Sequence, residues 1–207
     1  MKNNPSSESC YQNLEKSLGF EKALPVTKDW SAAADFLTII SDYCRQNKPK
    51  TIVECSSGTS SLVLSRCCQL NQYGHVYSLE NGQQFVDQTQ QQLDDFSLSG
   101  FCDVDHAPLQ NVQIGDENFQ WYELNDFPVS KIDLLVIDGP PGFIQEHSRY
   151  PALPLLYDQL ADECAVFLDD AARDDEQEIV VRWLTAYPEF RAEYIENERG
   201  CFILKRG

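Results

Sequence analysis

Short strand-like segments alternate with helix-like segments along most of this chain, and this alternation limits the possible folds more than any other feature. The strand-like segments are apolar runs at residues 51–54, 75–80, 101–107, 131–137 and 164–168. Between them, apolar residues recur every three or four positions, which is the spacing of an amphipathic helix. Two further strands, at 190–195 and 201–205, close the chain without a helix between them. The pattern predicts an α/β fold with a mostly parallel, doubly wound sheet of seven strands and a C-terminal antiparallel hairpin.

The helices and the domain boundary follow from the same periodicity. Helices are predicted at residues 30–45, 61–70, 83–94, 150–162 and 173–187, and a short extra strand at 118–124. The polar segment 1–13 is expected to be mobile. Residues 14–207 are expected to form one domain, because a chain of 207 residues supports one sizeable core.

The charge balance disfavours several classes of partner. The chain has 16 Lys and Arg against 33 Asp and Glu, a net charge of −17, which repels phosphate backbones and anionic lipid surfaces. We therefore expect neither nucleic acid nor membrane as a partner. The apolar runs are too short to span a bilayer, and the N-terminus lacks the apolar stretch of a secretory signal, so a cytoplasmic location is expected. The eight cysteines contain no CxxC pair and are expected to be small buried side chains.

Carboxylates stand at the ends of four predicted strands, at the edge where such sheets bind ligands. Glu54 and Glu80 end the first two strands. Asp138 follows the fourth strand, and Asp169 and Asp170 follow the fifth. Each residue could alternatively serve as a cap for the next helix, since polar side chains are favoured at helix starts. Their gathering at a single edge favours a binding site.

The turn after the first strand, CSSGTSS, discriminates between kinds of ligand. Dinucleotide folds place a pyrophosphate on a GxGxxG turn, whereas this turn has one glycine, Gly58. Glu54 would repel a phosphate, so a cationic, phosphate-free ligand suits the turn better. Glu80 lies 22 residues after Gly58, where a carboxylate can reach both hydroxyls of a ribose. A nucleotide-dependent oxidoreductase is correspondingly disfavoured.

These segments resemble the class I S-adenosylmethionine-dependent methyltransferases, which have a Rossmann-like fold. VECSSGTSSL is similar to the first motif of that family and YSLENGQQ to the second. IDLLVIDGPPG, RYPALPLL and FLDDAARDDE resemble a branch of small bacterial enzymes. Ser56 stands where the family usually has its first glycine. The resemblance implies S-adenosylmethionine as cofactor, with a binding set of Glu54, Ser56, Ser57, Gly58, Ser60, Glu80, Asn81, His106 and Asp138.

A looser resemblance, to catechol O-methyltransferase and its relatives, implies a magnesium ion. In those enzymes an aspartate after the fourth strand and an Asp-Asn pair after the fifth hold the ion, and Asp138, Asp169 and Asp170 occupy the matching places. Such oxygen ligands suit Mg²⁺. Asp170 replaces the asparagine, and the catalytic lysine of those enzymes has no counterpart in the loop that contains His147 and Arg149. The alternative is that Asp169 and Asp170 are turn and cap residues.

The resulting prediction is an S-adenosylmethionine-dependent methyltransferase acting on a small molecule, with metal-assisted O-methylation as one version. Asp138, His147 and Asp169 are the candidate catalytic residues, and His147 is the candidate base by residue type. A binding module that has kept the fold and lost catalysis is the alternative, because the glycine and the lysine are missing. A homodimer is a further possibility, through Trp30, Phe36 and Trp183, although such residues are more often buried in a core.

Overall fold

A seven-stranded sheet forms the centre of the protein. The strands are β1 Thr51–Cys55, β2 His75–Glu80, β3 Cys102–His106, β4 Leu109–Ile114, β5 Glu117–Tyr122, β6 Ile132–Ile137, β7 Leu160–Leu168, β8 Phe190–Ile195 and β9 Cys201–Arg206. The order across the sheet is β3-β2-β1-β6-β7-β9-β8. The computed structural model describes residues 7–28, 30–125 and 127–207. Strands β1, β2, β3, β6 and β7 run parallel, and β9 pairs antiparallel with both β7 and β8. The predicted doubly wound sheet with its terminal hairpin is therefore confirmed.

Both faces of the sheet are buried, because successive side chains of a strand point to opposite faces. In β1, Ile52 belongs to one apolar cluster and Val53 to the other. The first cluster includes residues of the first three helices, and the second includes Trp183 of the last helix. The α-helices of the described residues are α1 Ser7–Leu18, α2 Ala34–Asn47, α3 Thr59–Asn71, α4 Gln83–Asp95, α5 Ala152–Leu156 and α6 Asp174–Ala186. The described part of the chain contains no helix long and apolar enough to cross a membrane.

The N-terminal segment differs from the expectation of a mobile stretch up to residue 13. Helix α1 begins at Ser7, and Tyr11, Leu14 and Leu18 are buried against the first cluster. These three apolar residues recur at helical spacing, but the polar residues around them hide the pattern in the sequence. The expected boundary at 13 therefore falls inside a packed helix, while residues 1–6 lie outside the described residues.

Two further segments correct the sequence reading. The predicted strand at 118–124 exists as β5, but it pairs antiparallel with β4 in a separate two-stranded sheet that the sequence did not predict. The predicted helix at 150–162 is reduced to α5, since β7 already begins at Leu160. Pro154 lies in the first turn of α5, where a proline is tolerated because its missing N–H would have no intrahelical partner.

The aromatic residues considered for a dimer interface separate into two kinds. Phe36 and Trp183 are fully buried in the core, so they contribute nothing to a surface. Trp30 precedes α2 and has 62% of its surface exposed. All eight cysteines are free, and seven of them are buried, as the sequence predicted.

Candidate functional site

A cavity of about 950 Å³ opens at the carboxyl edge of the parallel strands. The turn after β1 and the end of β2 form one half of it, and the segments after β6 and β7 form the other. A cavity of this size is at the upper end of the range for ligand sites, which gives room for two small ligands side by side. Of the predicted site residues, the lining includes Ser56, Ser57, Gly58, Ser60, Glu80, Asn81, Asp138 and Asp170.

The turn after β1 keeps a glycine-like shape although it contains one glycine. Gly58 has a φ of 132°, and a Cβ placed there would meet nothing within 4 Å, so its backbone is open to a ligand. Ser56 has a φ of 112°, a conformation that L side chains rarely adopt. Its backbone N–H donates to the carbonyl of Leu79 at 2.9 Å, which fixes the turn against β2. Ser56 therefore takes the backbone conformation of the glycine that it replaces.

Glu80 presents a fixed carboxylate to the cavity at the end of β2. Only 7% of the residue is exposed. Its Oε1 accepts the backbone N–H of Gly82 at 2.9 Å, and its Oε2 accepts the hydroxyl of Ser57 at 3.0 Å. Each carboxylate oxygen can accept a second hydrogen bond, so Glu80 retains the capacity to bind two hydroxyls of a ligand.

Glu54 lies beneath the turn, outside the cavity lining. It is fully buried, and its Oε2 accepts the hydroxyls of Ser61 at 2.5 Å and Ser78 at 2.7 Å. Burial raises the pKa of Glu54 to about 7. The hydroxyl of Ser61 in turn accepts the N–H of Gly58 at 3.1 Å. Glu54 therefore positions the turn through Ser61, whereas the sequence had suggested direct contact with a ligand.

Arg149 joins the ends of β6 and β7 on the other side of the cavity. It is 2% exposed, and its Nη2 donates to the carbonyl of Asp138 at 2.7 Å and to Oδ2 of Asp170 at 2.8 Å. The same nitrogen lies 3.3 Å from Oδ1 of Asp138, and Nη1 donates to the carbonyl of Asp169 at 2.9 Å. Burial raises the pKa of Asp138 to about 6, and the charge of Arg149 opposes this shift.

Asp169 is buried apart from the cavity lining. Neither of its carboxylate oxygens has a hydrogen-bond partner among the described residues, and burial raises its pKa well above the ordinary value. A buried carboxylic acid without a donor is more stable in its neutral form. The predicted contact of Asp169 with a substrate in the cavity therefore has no support in this arrangement.

The two histidines of the predicted site lie outside the cavity lining. Nε2 of His147 is 2.8 Å from Oε2 of Glu178, and its backbone N–H donates to Asp175 at 3.2 Å. His106 is exposed at the end of β3. Neither histidine therefore lines the cavity with Asp138 and the glycine turn.

Sequence reasoning missed the aromatic and cationic side chains of the cavity. Trp30 and Phe143 come from distant segments and meet edge to face at a centroid distance of 6.3 Å. Phe143 is 80% exposed, so the pair stands at the mouth of the cavity. Arg173 and Arg199 also belong to the lining. No local pattern marks these residues, since the folded chain alone brings them together.

The three aspartates do not fit the magnesium site that the looser resemblance implied. Carboxylate oxygens of Asp138, Asp169 and Asp170 do lie within 4.8 Å of one another. However, the guanidinium of Arg149 already binds Asp138 and Asp170, at 3.3 Å and 2.8 Å. A divalent ion needs the same oxygens at about 2.0 to 2.6 Å and would be repelled by the adjacent fixed positive charge.

Comparison with known proteins gives a consistent result. A family model described as "Methyltransferase domain" matches residues 53–171, which is more than half of the chain. The search of curated proteins found no match. Similar solved structures are the O-methyltransferase TomG of Streptomyces achromogenes with S-adenosylmethionine bound, PaMTH1 of Podospora anserina with S-adenosylhomocysteine bound, and an O-methyltransferase of Bacillus cereus with S-adenosylhomocysteine bound.

These structures share the fold of the chain at low sequence identity. Each is 12% identical to it, with TM-scores of 0.66 for TomG and 0.67 for the other two. The alignments cover 99% of this chain and 91% of TomG, 99% and 89% for PaMTH1, and 100% and 94% for the Bacillus cereus enzyme. The likeness therefore extends over nearly the whole of both chains.

Proposed function

Because this chain belongs to the methyltransferase-domain family, we propose that it transfers a methyl group from S-adenosylmethionine to a small molecule in the cavity. One observation carries the proposal. A single cavity joins the Glu80 carboxylate and the open glycine turn to the carboxylate of Asp138. A cofactor and an acceptor can therefore occupy adjacent positions at the carboxyl edge of the sheet.

The cofactor half of the cavity suits S-adenosylmethionine. Glu80 can accept both ribose hydroxyls, while Ser57 and Gly82 hold its carboxylate in place. The open backbone at Gly58 allows close approach of the methionine part. The bound cofactor supplies an electrophilic methyl group on a positively charged sulfur, a charge that the acidic cavity favours.

The acceptor half offers Asp138 as the group that removes a proton. Asp138 lines the cavity, and its pKa of about 6 suits a base that works near neutral pH. The ionised form is the one that accepts a proton, so turnover should increase as the pH rises through about 6. Holding the acceptor next to the methyl group is the other contribution of the protein, and positioning accounts for much of the rate enhancement in such displacements.

Binding and turnover can be tested separately. We expect S-adenosylmethionine and S-adenosylhomocysteine to bind the purified protein in calorimetric titrations, and NADH and ATP to give no heat. Incubation with S-adenosylmethionine and a panel of phenols, amines and carboxylic acids, read by mass spectrometry, should then reveal methylated product. Absence of binding by both sulfur nucleosides would contradict the proposal.

The same experiment distinguishes an active methyltransferase from a binding module that has lost catalysis. Cofactor binding without a product from any acceptor class, both in the wild type and in Ser56→Gly, would favour it. Ser56→Gly is included because it restores the usual glycine at a position with a φ of 112°.

A further inference from the structure

We propose that the Arg149 guanidinium replaces a divalent ion at the ends of β6 and β7, so that this site works without metal. The inference deepens the proposed function, on which its relevance to catalysis rests. Carboxylates that could hold a metal ion are present, because oxygens of three aspartates lie within 4.8 Å of one another. The guanidinium of Arg149 binds the carboxylates of two of them, Asp138 and Asp170.

Arg149 makes the contacts that a bridging cation would make. It binds the carboxylates of Asp138 and Asp170 and also the backbone carbonyls of Asp138 and Asp169. Its Nη1 is 3.7 Å from Oε1 of Glu176, which is 2% exposed. Four of these contacts connect the ends of two neighbouring strands through one buried positive charge, and the fifth reaches α6.

The partners of Arg149 have to compensate for the cost of burying its charge. Removing a guanidinium from water costs several kcal/mol unless paired carboxylates and hydrogen bonds compensate for it. Asp138 and Asp170 have the reciprocal need, since their carboxylates would repel one another without a cation between them. Arginine suits the position because its planar fork stays charged and can bind several oxygens at once.

The guanidinium and a metal ion exclude each other at this position. Both would use the oxygen of Asp170 that lies 2.8 Å from Nη2, and two adjacent cations would repel. Arg173 also contacts that oxygen, at 3.0 Å. Its side chain is 52% exposed, so it approaches Asp170 from the solvent side. Arg173 therefore offers a matched control: an arginine that contacts the same aspartate without filling the space between the strands.

The test is whether removal of Arg149 creates a metal site. Arg149→Ala should bind Mn²⁺ at least about tenfold more tightly than the wild type or Arg173→Ala, measured by electron paramagnetic resonance of free Mn²⁺. Thermal unfolding should report the same gain, with Mn²⁺ raising the melting temperature of Arg149→Ala alone. If this variant folds only with Mn²⁺ present, that result also supports the proposal.

Three outcomes would overturn the inference. In the first, Arg149→Ala binds Mn²⁺ no better than the wild type. In the second, Arg149→Ala stays unfolded with the ion present, while Arg149→Lys folds and binds Mn²⁺. In the third, the wild type binds Mn²⁺ and this binding is lost in Asp170→Asn. Neither readout uses a methyl donor or acceptor. Failure of the proposed function would instead appear as absence of S-adenosylmethionine binding by the wild type.

Discussion

At the scale of residues, the proposed function makes Glu80 the side chain on which cofactor binding should depend most. Its carboxylate is held by Ser57 and Gly82, so it meets a ribose without further ordering. Glu80→Ala should weaken the binding of S-adenosylmethionine by on the order of 2 kcal/mol, or about thirtyfold, because two charge-assisted hydrogen bonds are lost. Calorimetric titration measures the change. Glu193→Ala, an exposed glutamate on β8, is the control and should leave the affinity unchanged.

Glu54 makes the stability of the protein depend on pH. Burial raises its pKa from 4.5 to about 7, so the folded state holds the proton more tightly than the unfolded state does. The resulting stabilisation is complete below pH 4.5 and is lost as the pH rises through about 7.

Glu54→Gln isolates this effect, because the amide oxygen can still accept the hydroxyls of Ser61 and Ser78. Between these two pH values, the wild type should lose roughly 3 kcal/mol more unfolding free energy than the variant does. Denaturant titrations across the pH range measure the difference. Parallel curves for the two proteins would show that Glu54 keeps an ordinary pKa.

The sequence indicated the residues of the cofactor half better than those of the acceptor half. Ser56, Gly58 and Glu80 belong to local motifs whose spacing is visible along the chain. The role of Arg149 depends on Asp170, which is 21 residues away and is brought near only by folding. His147 was favoured by residue type alone, and the structure pairs it with Glu178 away from the cavity.

At the scale of elements, the turn between β8 and β9 fixes the C-terminal hairpin to the loop after β7. Ala171 and Ala172 donate their N–H groups to the carbonyls of Gly200 and Arg199, at 2.9 Å and 2.8 Å. Gly200 has a φ of 75°, and a Cβ there would lie 2.4 Å from the nitrogen of Ala172. Only glycine fits at this position without displacing the loop that carries Asp170.

Gly200→Ala should therefore destabilise the protein by on the order of 2 to 4 kcal/mol, since it combines an unfavourable φ with a steric clash. Gly115→Ala, in the turn between β4 and β5, is the matched control. Its φ is 59°, but a Cβ meets nothing within 4 Å, so the expected cost is about 1 kcal/mol. Chemical denaturation of both variants checks the prediction. Equal losses of unfolding free energy in the two variants would mean that the hairpin turn does not lie close to the loop after β7.

The elements that the sequence predicted well are those buried on both sides. Strand β6 ends in four consecutive apolar residues, 134–137, and such a short apolar run is typical of a buried central strand. Helix α1 and strand β4 were missed because their apolar residues are few and half of each element faces solvent. Helix α1 is held in the fold by packing against α2 and α3, and β4 by pairing with β5.

For the whole molecule, a net charge of −17 and the cavity at the carboxyl edge of the sheet point to the same kind of ligand. A cationic cofactor is attracted by this field, whereas phosphate-bearing ligands are repelled. The sequence predicted this preference from the net charge together with Glu54 and the single glycine of the turn after β1. The size of the cavity and its aromatic mouth at Trp30 and Phe143 required the folded structure.

The most direct test of the central claim is a crystal structure of the protein with S-adenosylhomocysteine, grown with Mg²⁺ present. The ribose should contact Glu80, the amino acid part should lie against the turn at Gly58, and Arg149 should remain between the aspartates without an ion. A ligand bound elsewhere on the protein, or one in the cavity without contact to Glu80, would contradict the assignment of the cofactor site.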